Sequence, residues 1–252
     1  MAKVIAIANQ KGGVGKTTTS INLSASLAHF GQRVLIVDCD PQGNATSGFG
    51  INRNTRRSIY DVLIKSFNPL YALQMTSYGV TVLPANIDLA GAEIELVTMN
   101  QRELKLRDAM DKVRGSYDYI IIDCPPSLGL LTINALTAAD AVLSPLQCEF
   151  YALEGVTQLF KTVEIVRANL NPLLFVEGIV MTMFDGRTKH HQQVVEEVRE
   201  GLGYLVYKTV IPRSVKLAES SSYGKPILYY DKDSRSAEVY LNLAKEVLER
   251  GK

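Results

Sequence analysis

The chain of 252 residues is 46% hydrophobic and 21% charged, and its formal net charge is +1. These values are typical of a globular protein with a full hydrophobic core. They exclude a generally basic nucleic-acid binder, so any DNA contact must come from a local patch. The apolar run 4–8 is too short for a secretory signal, and no stretch approaches the ~18 apolar residues of a membrane span. We therefore expect a cytoplasmic protein.

Short apolar runs alternate with stretches of helical periodicity along the chain. The predicted strands are 4–8, 33–38, 80–85, 119–123, 141–145 and 175–184. The predicted helices are 16–30, 102–114, 130–138, 151–169, 189–202 and 236–249. Most of the strands are apolar throughout, as expected when both faces of a parallel sheet are covered. This alternation predicts a single α/β domain over 1–252, with a doubly wound, mostly parallel sheet and helices on both faces. Segment 43–58, rich in Gly, Asn, Ser and Arg, is predicted to be a surface loop.

The segment after the first strand, NQKGGVGKTTT at 9–19, is a glycine-rich turn that leads into a helix. Such a turn points backbone N–H groups at phosphate oxygens, and the helix N-terminus adds partial positive charge. Lys16 can span the β- and γ-phosphates of a nucleotide, and the Thr17 hydroxyl can ligate Mg²⁺. The nucleotide-binding residues predicted from this loop are Gly12, Gly13, Val14, Gly15, Lys16, Thr17 and Thr18.

Two apolar runs end in aspartate, in LIVDCDPQGN at 35–44 and YIIIDCPPS at 119–127. Strand ends in open α/β sheets face the ligand crevice, so these carboxylates are predicted to point towards the phosphate loop. Asp123, which follows three isoleucines, fits the position that holds Mg²⁺ through water. Asp38 lies two residues before Asp40, and we expect it to help organise the surroundings of the metal.

The glycine-rich loop departs from the standard pattern G-x-x-x-x-G-K-[ST], because Gln10 replaces the first glycine and Lys11 adds a second cation. The form K-G-G-x-G-K-T resembles the deviant Walker A loop of the ParA/MinD group of P-loop NTPases. The resemblance implies that ATP and Mg²⁺ are the ligands, and that Lys11 reaches the nucleotide of the other subunit in an ATP-sandwich homodimer. It also implies that Asp40 positions or deprotonates the attacking water and belongs to the metal site with Thr17 and Asp123. The predicted catalytic residues are Asp40, Lys11 and Lys16.

The resemblance extends over essentially the whole chain. It includes DPQGNATSG at 40–48, DCPPSLGLLTINAL at 123–136, ALEG at 152–155, VIPR at 210–213 and GKP at 224–226. These segments are similar to those of the short, Soj-type branch of the ParA partition ATPases. This similarity implies a weak, partner-stimulated ATPase that binds double-stranded DNA without sequence preference as an ATP dimer. It further implies nucleoid association, and partition of chromosomes or plasmids with a ParB-type centromere-binding protein.

The resemblance also suggests residues for the DNA and the base. Phosphate contacts by Lys and Arg suffice for binding DNA without sequence preference. The predicted DNA-binding residues are Arg187, Arg213 and Lys216, with Arg235 as a weaker addition. The VIPR segment reaches adenine in the relatives, which makes Pro212 and Ser214 predicted contacts of the base. Ser214 stands where the relatives have asparagine.

Three other branches of the group are weighed against the partition ATPases. A MinD-type ATPase ends in a basic amphipathic helix at a membrane surface, whereas 236–252 mixes acidic and basic residues opposite its apolar face, which favours a helix packed in the core and no membrane contact. An iron protein needs two cysteines per subunit for a shared cluster, but Cys39 and Cys124 lie beside the nucleotide carboxylates and Cys148 is isolated. Long plasmid ParA proteins carry a helix-turn-helix domain before the loop, and Lys11 is too near the start for one.

Overall fold

In the computed structural model, which describes residues 1–149 and 152–251, eight strands form one sheet in the order β3-β4-β2-β5-β1-β6-β7-β8. The strands are β1 Lys3–Ile7, β2 Val34–Asp38, β3 Gln74–Met75, β4 Val80–Leu83, β5 Tyr119–Asp123, β6 Ala141–Gln147, β7 Phe175–Phe184 and β8 Val206–Pro212. The helices are α1 Lys16–His29, α2 Asn44–Gly48, α3 Ile59–Ile64, α4 Leu89–Val97, α5 Lys105–Asp111, α6 Leu130–Ala138, α7 Ala152–Asn169, α8 Lys189–Leu202, α9 Val215–Ser222, α10 Ile227–Tyr230 and α11 Arg235–Arg250. Tyr151, where the fourth predicted helix begins, and Lys252 lie outside the described residues.

The sheet is parallel except at its first edge, where the short β3 runs antiparallel to β4. Alternate residues of the central strands face two separate cores. On one face, Val4 and Ile120 pack with α3 to α7, and on the other, Ile5 and Ile121 pack with α1, α2 and α9 to α11. Because both faces are covered, these strands are apolar throughout, and the predicted doubly wound architecture is confirmed. Among the described residues, no helix is both long and apolar enough to cross a bilayer.

Segment 43–58, predicted to be a surface loop, contains helix α2 and its buried face, so the prediction was wrong for 44–49, whereas 50–57 consists of mostly exposed turns, as predicted. Thr46 is fully buried, and Gly48 lies so close to α1 that an added Cβ would be 2.3 Å from Cδ1 of Ile21. The small residues that suggested a loop are needed because α2 packs tightly against α1. Composition alone could not separate these two uses of small residues.

Several elements were not predicted, and the edge strand β8 is the most important for the site. β8 pairs in parallel with β7, and its Lys208 is exposed, so its apolar pattern is interrupted. Its last residue, Pro212, pairs with Phe184 at the end of β7. The carboxyl ends of β7 and β8 therefore lie side by side on the same edge of the sheet as the glycine-rich loop, which follows β1.

Candidate nucleotide site

The glycine-rich loop is fixed by contacts at its backbone. Gly13 and Gly15 adopt φ values of +75° and +90°, in the left-handed region that favours glycine. The hydroxyl of Thr182, on β7, donates a hydrogen bond of 2.8 Å to the carbonyl oxygen of Val14. The side-chain oxygen of Asn9 accepts a 3.0 Å hydrogen bond from the backbone N–H of Lys11. The loop is therefore held in one shape, which suits it to bind phosphate.

Two adjoining cavities lie on either side of this loop. The first, of about 370 Å³, is polar and contains the start of α1 together with the loop after β2. The second, of about 360 Å³, is mainly apolar and lies between β7, β8 and α9. Both are lined by Gly15, Thr18 and Met183. A polar cavity joined to an apolar one matches the two ends of a nucleotide, the phosphates and the base.

The apolar cavity contains both residues that were predicted to contact the base. Pro212 and Ser214 line it, and Leu217 and Ala218 of α9 complete the same wall. Lys216, which lies between Ser214 and Leu217 in the sequence, is exposed and forms an ion pair with Asp231. One side of α9 thus faces the cavity, and the other side exposes the positively charged side chain of Lys216.

Asp123 has the carboxylate best suited to a metal-bound water. It is fully buried, and its Oδ1 accepts a 2.8 Å hydrogen bond from the hydroxyl of Ser20, whereas its Oδ2 is buried without a hydrogen-bond partner among the described residues. Burial, followed by the nearby negative charge of Asp38, raises the pKa of Asp123 to about 8. A buried carboxylate oxygen with no donor is one that a cation, or the water bound to a cation, would satisfy. Asp123 lies behind the cavity wall, so it fits the predicted contact through water.

Asp38 is placed to organise the loop beside the predicted metal site. Its Oδ2 accepts hydrogen bonds from the backbone N–H and the hydroxyl of Thr46, at 2.7 and 2.6 Å, and its Oδ1 accepts one of 3.2 Å from the N–H of Asp40. The Thr46 hydroxyl in turn accepts a 2.9 Å hydrogen bond from the N–H of Ala85. Both oxygens of Asp38 are thus engaged in holding the loop after β2. This loop carries Asp40.

Asp40 lines the phosphate cavity, as predicted. Its Oδ1 accepts a 2.9 Å hydrogen bond from the backbone N–H of Gln42, and its carbonyl oxygen accepts one of 2.9 Å from the N–H of Gly43. The turn therefore orients the carboxylate at the cavity wall, where Gln42 and Asn44 also lie. From this position, the carboxylate could accept a hydrogen bond from a water next to the terminal phosphate of a bound nucleotide.

The two lysines of the loop occupy different environments. Lys16 lines the phosphate cavity, and its ammonium group donates a 3.0 Å hydrogen bond to the carbonyl oxygen of Lys11. Burial lowers the pKa of Lys16, and the nearby Asp123 opposes this shift. The side chain of Lys11 instead forms an ion pair with Glu149, and Lys11 is not part of the wall of the phosphate cavity. Only one of the two lysines thus lines the phosphate cavity of its own chain.

Gly12 lines the phosphate cavity without any need for glycine within the chain. Its φ is not positive, and a Cβ added there would meet no atom of the described residues within 4 Å. Gly13 and Gly15, by contrast, require their left-handed conformation. A side chain at position 12 would therefore be compatible with the isolated chain.

The four predicted DNA-binding residues are exposed on neighbouring elements. Arg187 and Arg213 follow the paired strands β7 and β8, and the N–H of Arg213 donates a 2.9 Å hydrogen bond to the carbonyl oxygen of Phe184. The guanidinium of Arg187 donates two hydrogen bonds to Asp185, whereas the guanidinium of Arg213 has no partner among the residues that the structure describes. Arg235 begins α11, shortly after the Asp231 that pairs with Lys216.

Two residues of the site, Thr182 and Met183, were not predicted from the sequence. Both line the apolar cavity, and Met183 has a φ of +54°, which is rare for a residue other than glycine. They lie at the end of β7, within the predicted strand 175–184. The rule that ligands bind at the carboxyl ends of parallel strands, applied to this strand as it was to β2 and β5, would have found them.

A fixed glycine-rich loop between a strand and a helix, at the carboxyl edge of a doubly wound sheet and beside buried aspartates, defines a P-loop nucleotide-binding protein. A family model described as an AAA domain matches residues 2–176. The sporulation initiation inhibitor protein Soj of Bacillus subtilis is 57% identical, and the match covers 100% of both chains. The chromosome partitioning protein ParA of Caulobacter vibrioides is 53% identical, over 98% of this chain and 94% of its own. The chain therefore belongs to the family of Soj and ParA chromosome-partitioning ATPases.

The solved structures include one that is similar over the whole chain. It is described as cobyrinic acid a,c-diamide synthase from Mycobacterium smegmatis, with bound ADP and magnesium. It is 41% identical, with a TM-score of 0.88 over 100% of this chain and 96% of its own. This similarity agrees with the fold described above, and it shows that a structure similar to this chain binds a nucleotide.

Proposed function

We propose that this chain is a Mg²⁺-dependent ATPase that closes into an ATP-sandwich homodimer, binds double-stranded DNA in that state, and partitions chromosomes or plasmids. The observation that carries the proposal is the different placement of the two loop lysines. Lys16 lies at the phosphate cavity, while Lys11 is exposed beside it and forms its ion pair with Glu149. A lysine so placed is available to the nucleotide of a second subunit.

Gly12 supports the same arrangement. It lies on the wall of the phosphate cavity, and neither the backbone conformation nor the packing of this chain requires a glycine there. A glycine at the open side of the loop leaves room for another backbone to approach closely. The partner's loop, bringing its own Lys11, is the structure that we expect to occupy that space.

Apart from the partner's Lys11, the groups needed for slow hydrolysis would come from the chain that binds the nucleotide. Lys16 and the loop N–H groups would hold the phosphates, and Thr17 with Asp123 would hold Mg²⁺, Asp123 through water. The carboxylate of Asp40 would orient the attacking water and accept its proton. When bound, Mg²⁺ neutralises the charge that develops on the transferred phosphoryl group. The cofactors are supported by relatives solved with ADP or an ATP analogue and magnesium.

The DNA contact would lie on the surface formed by Arg187, Arg213, Lys216 and Arg235. Its link to the nucleotide is α9, because the helix that forms a wall of the apolar cavity also carries Lys216 on its exposed side. Phosphate contacts of this kind bind any sequence and weaken steeply with added salt. The surface fits an ATPase that acts in the cytoplasm on the nucleoid, with a ParB-type protein as the partner that stimulates hydrolysis.

Two other activities are less well supported. A MinD-type ATPase would use its last helix at a membrane, but in this structure the apolar face of α11 is in the core, with Leu243 and Val247 fully buried. A carrier of a metal cluster shared between subunits would need cysteine thiolates as ligands. Burial raises the pKa of Cys39, Cys124 and Cys148, which opposes the thiolate form.

Co-sedimentation tests the proposal directly. The purified protein is mixed with a long random-sequence duplex, or with anionic lipid vesicles, in ATP and in ADP. We expect capture by the duplex in ATP only, with a steep loss as salt is added. Capture by vesicles alone would move the function to the MinD type, and capture by neither, in either nucleotide, would reject DNA binding.

A further inference from the structure

Three tyrosines follow α9 or lie on α10, and we call Tyr223, Tyr229 and Tyr230 the tyrosine strip, in which the ring of Tyr229 also packs against Tyr78. Tyr223 is 69% exposed and Tyr229 is 44% exposed. The rings of Tyr223 and Tyr230 stack, with centroids 5.4 Å apart and an interplanar angle of 25°. The strip therefore exposes aromatic surface that the fold leaves unburied.

The backbone under the strip is held firmly. Gly224 has a φ of +64°, and a Cβ added there would lie 2.8 Å from the Cα of Gly50. The hydroxyl of Tyr78 donates a 3.4 Å hydrogen bond to the carbonyl oxygen of Gly224. The N–H of Ile227 donates one of 2.7 Å to the buried side-chain oxygen of Asn22. Aromatic rings mounted on a fixed turn lose little freedom when a ligand stacks on them.

The strip lies in a locally basic segment. Residues 213–235 contain five basic and three acidic residues, an excess of two positive charges. Lys225 and Lys232 are exposed, and within 1–149 and 152–251 their ammonium groups have no ion-pair partner. Lys216 is paired with Asp231, and Glu219 accepts a 3.3 Å hydrogen bond from the hydroxyl of Tyr230. Two lysines without an ion-pair partner in the described residues thus lie two residues after Tyr223 and Tyr230 in the sequence.

We propose that the tyrosine strip binds unpaired bases of a nucleic acid by stacking, while Lys225 and Lys232 hold the phosphates. Exposed aromatic faces beside cations are the features that single-stranded nucleic acid recognises. A lipid surface fits less well, because the aliphatic residues of α10 point inward: Ile227 is 1% exposed, and Leu228 packs against the core. This inference rests on the proposed DNA-binding function and adds a preference for DNA with unpaired bases.

Fluorescence anisotropy of the full chain in ATP tests the inference with three probes. These are a mixed-sequence single strand, an abasic strand of the same length, and the duplex of the mixed sequence. The abasic strand keeps the phosphates but has no bases to stack. We expect the intact strand to bind about tenfold more tightly than the abasic one. Tyr223→Leu should abolish that difference and Tyr223→Phe should preserve it.

Tyr204 provides a matched control, because it is 87% exposed and lies before β8, outside the strip. Tyr204→Leu should leave the preference for the intact strand unchanged. Equal affinity for the intact and abasic strands, or a preference that survives Tyr223→Leu, would overturn the inference. So would binding of anionic vesicles that Tyr223→Leu removes while strand binding is unchanged. Duplex binding in the same titration reports separately on the proposed function, since it can persist when stacking fails.

Discussion

Asp38 and Asp123 are register partners at the ends of the adjacent parallel strands β2 and β5, and both are fully buried. The two carboxylates nevertheless differ in the hydrogen bonds that they accept. Asp38 accepts three hydrogen bonds, whereas one oxygen of Asp123 has no donor among the described residues. Burial raises the pKa of Asp38 to about 6 and that of Asp123 to about 8. One carboxylate therefore organises the loop, and the other is kept available.

The raised pKa of Asp123 predicts a pH dependence for the metal-free protein. Between the ordinary value of 3.8 and about 8, the folded state keeps a proton that the unfolded state releases. The unfolding free energy should therefore fall as pH rises through this range. We expect the melting temperature, measured in a chelator, to fall by roughly 5 °C between about pH 5 and about pH 8.

Asp123→Asn should reduce this dependence, because an amide cannot lose the proton, and the raised pKa of Asp38 should account for the part that remains. Carboxylates with lowered pKa, such as Asp118 at about 2, contribute slopes of the opposite sign, but only at lower pH. Thermal melts of both proteins across the range check the prediction. A melting temperature that rises towards pH 8 in the parent protein would contradict it.

The two loop lysines should differ when each is replaced by alanine. Lys16→Ala removes an ammonium group at the phosphate cavity and should weaken ATP binding up to about a hundredfold. Lys11→Ala should leave ATP affinity within about threefold of the parent, because its own chain does not place it at the phosphates, but it should abolish the ATP dimer. Calorimetric titration and sedimentation velocity measure the two effects. Equal loss of ATP affinity in both variants would refute the assignment.

Replacing Gly12 with valine should block the dimer without harming the monomer. A Cβ added at position 12 meets no atom within 4 Å in the described structure, so the melting temperature of the variant should stay within about 2 °C of the parent. Sedimentation in ATP should show monomers only.

Gly13→Val is the matched control for that prediction. Its φ of +75° strains a β-branched residue, which should lower the unfolding free energy by about 1–2 kcal/mol. If Gly12→Val formed normal ATP dimers, a second subunit would not approach position 12.

Asp40→Ala should uncouple binding from hydrolysis. ATP affinity and dimerisation should persist, because Lys16 and the loop backbone remain, while phosphate release should fall by about a hundredfold or more. The variant should then remain on DNA after dilution into ATP. Release of the variant as rapid as that of the parent, followed by anisotropy, would argue against a role for Asp40.

Arg213 and Arg187 should contribute unequally to DNA binding. Asp185 partly offsets the charge of Arg187, whereas the guanidinium of Arg213 has no partner in the described chain. Arg213→Ala should therefore weaken duplex binding more, and lower the slope of log affinity against log salt by about one. Asp185→Asn should tighten binding by freeing Arg187. Anisotropy over a salt series measures each slope, and identical effects of the two alanine variants would disprove this ranking.

Much of the architecture could be predicted because burial leaves a plain signal. Strands such as β5 are apolar throughout, and the glycine-rich loop has a fixed spacing between a strand and a helix. Because ligands bind at the carboxyl ends of parallel strands, the sequence also predicts that Asp40 and Asp123 lie beside the loop. These inferences depend on local sequence and on one general rule of sheet topology.

The rest depends on contacts between distant residues. Thr46 is polar and lies in a segment rich in turn-forming residues, so nothing local shows that it is buried under Asp38. The partner of Lys11 is Glu149, which lies far along the chain, after β6. The interrupted pattern of β8 becomes recognisable as a strand only beside β7. Such pairings follow from the packing of the sheet, which a single sequence does not state.

Helix α9 is shared between two surfaces, and this limits how the protein can be engineered. Leu217 and Ala218 shape the apolar cavity, while Lys216 lies on the exposed side of the same two turns. A redesign that widens the cavity for a different base would shift or tilt this helix, and the outer charges would move with it. Base selectivity and surface charge would therefore have to be redesigned together.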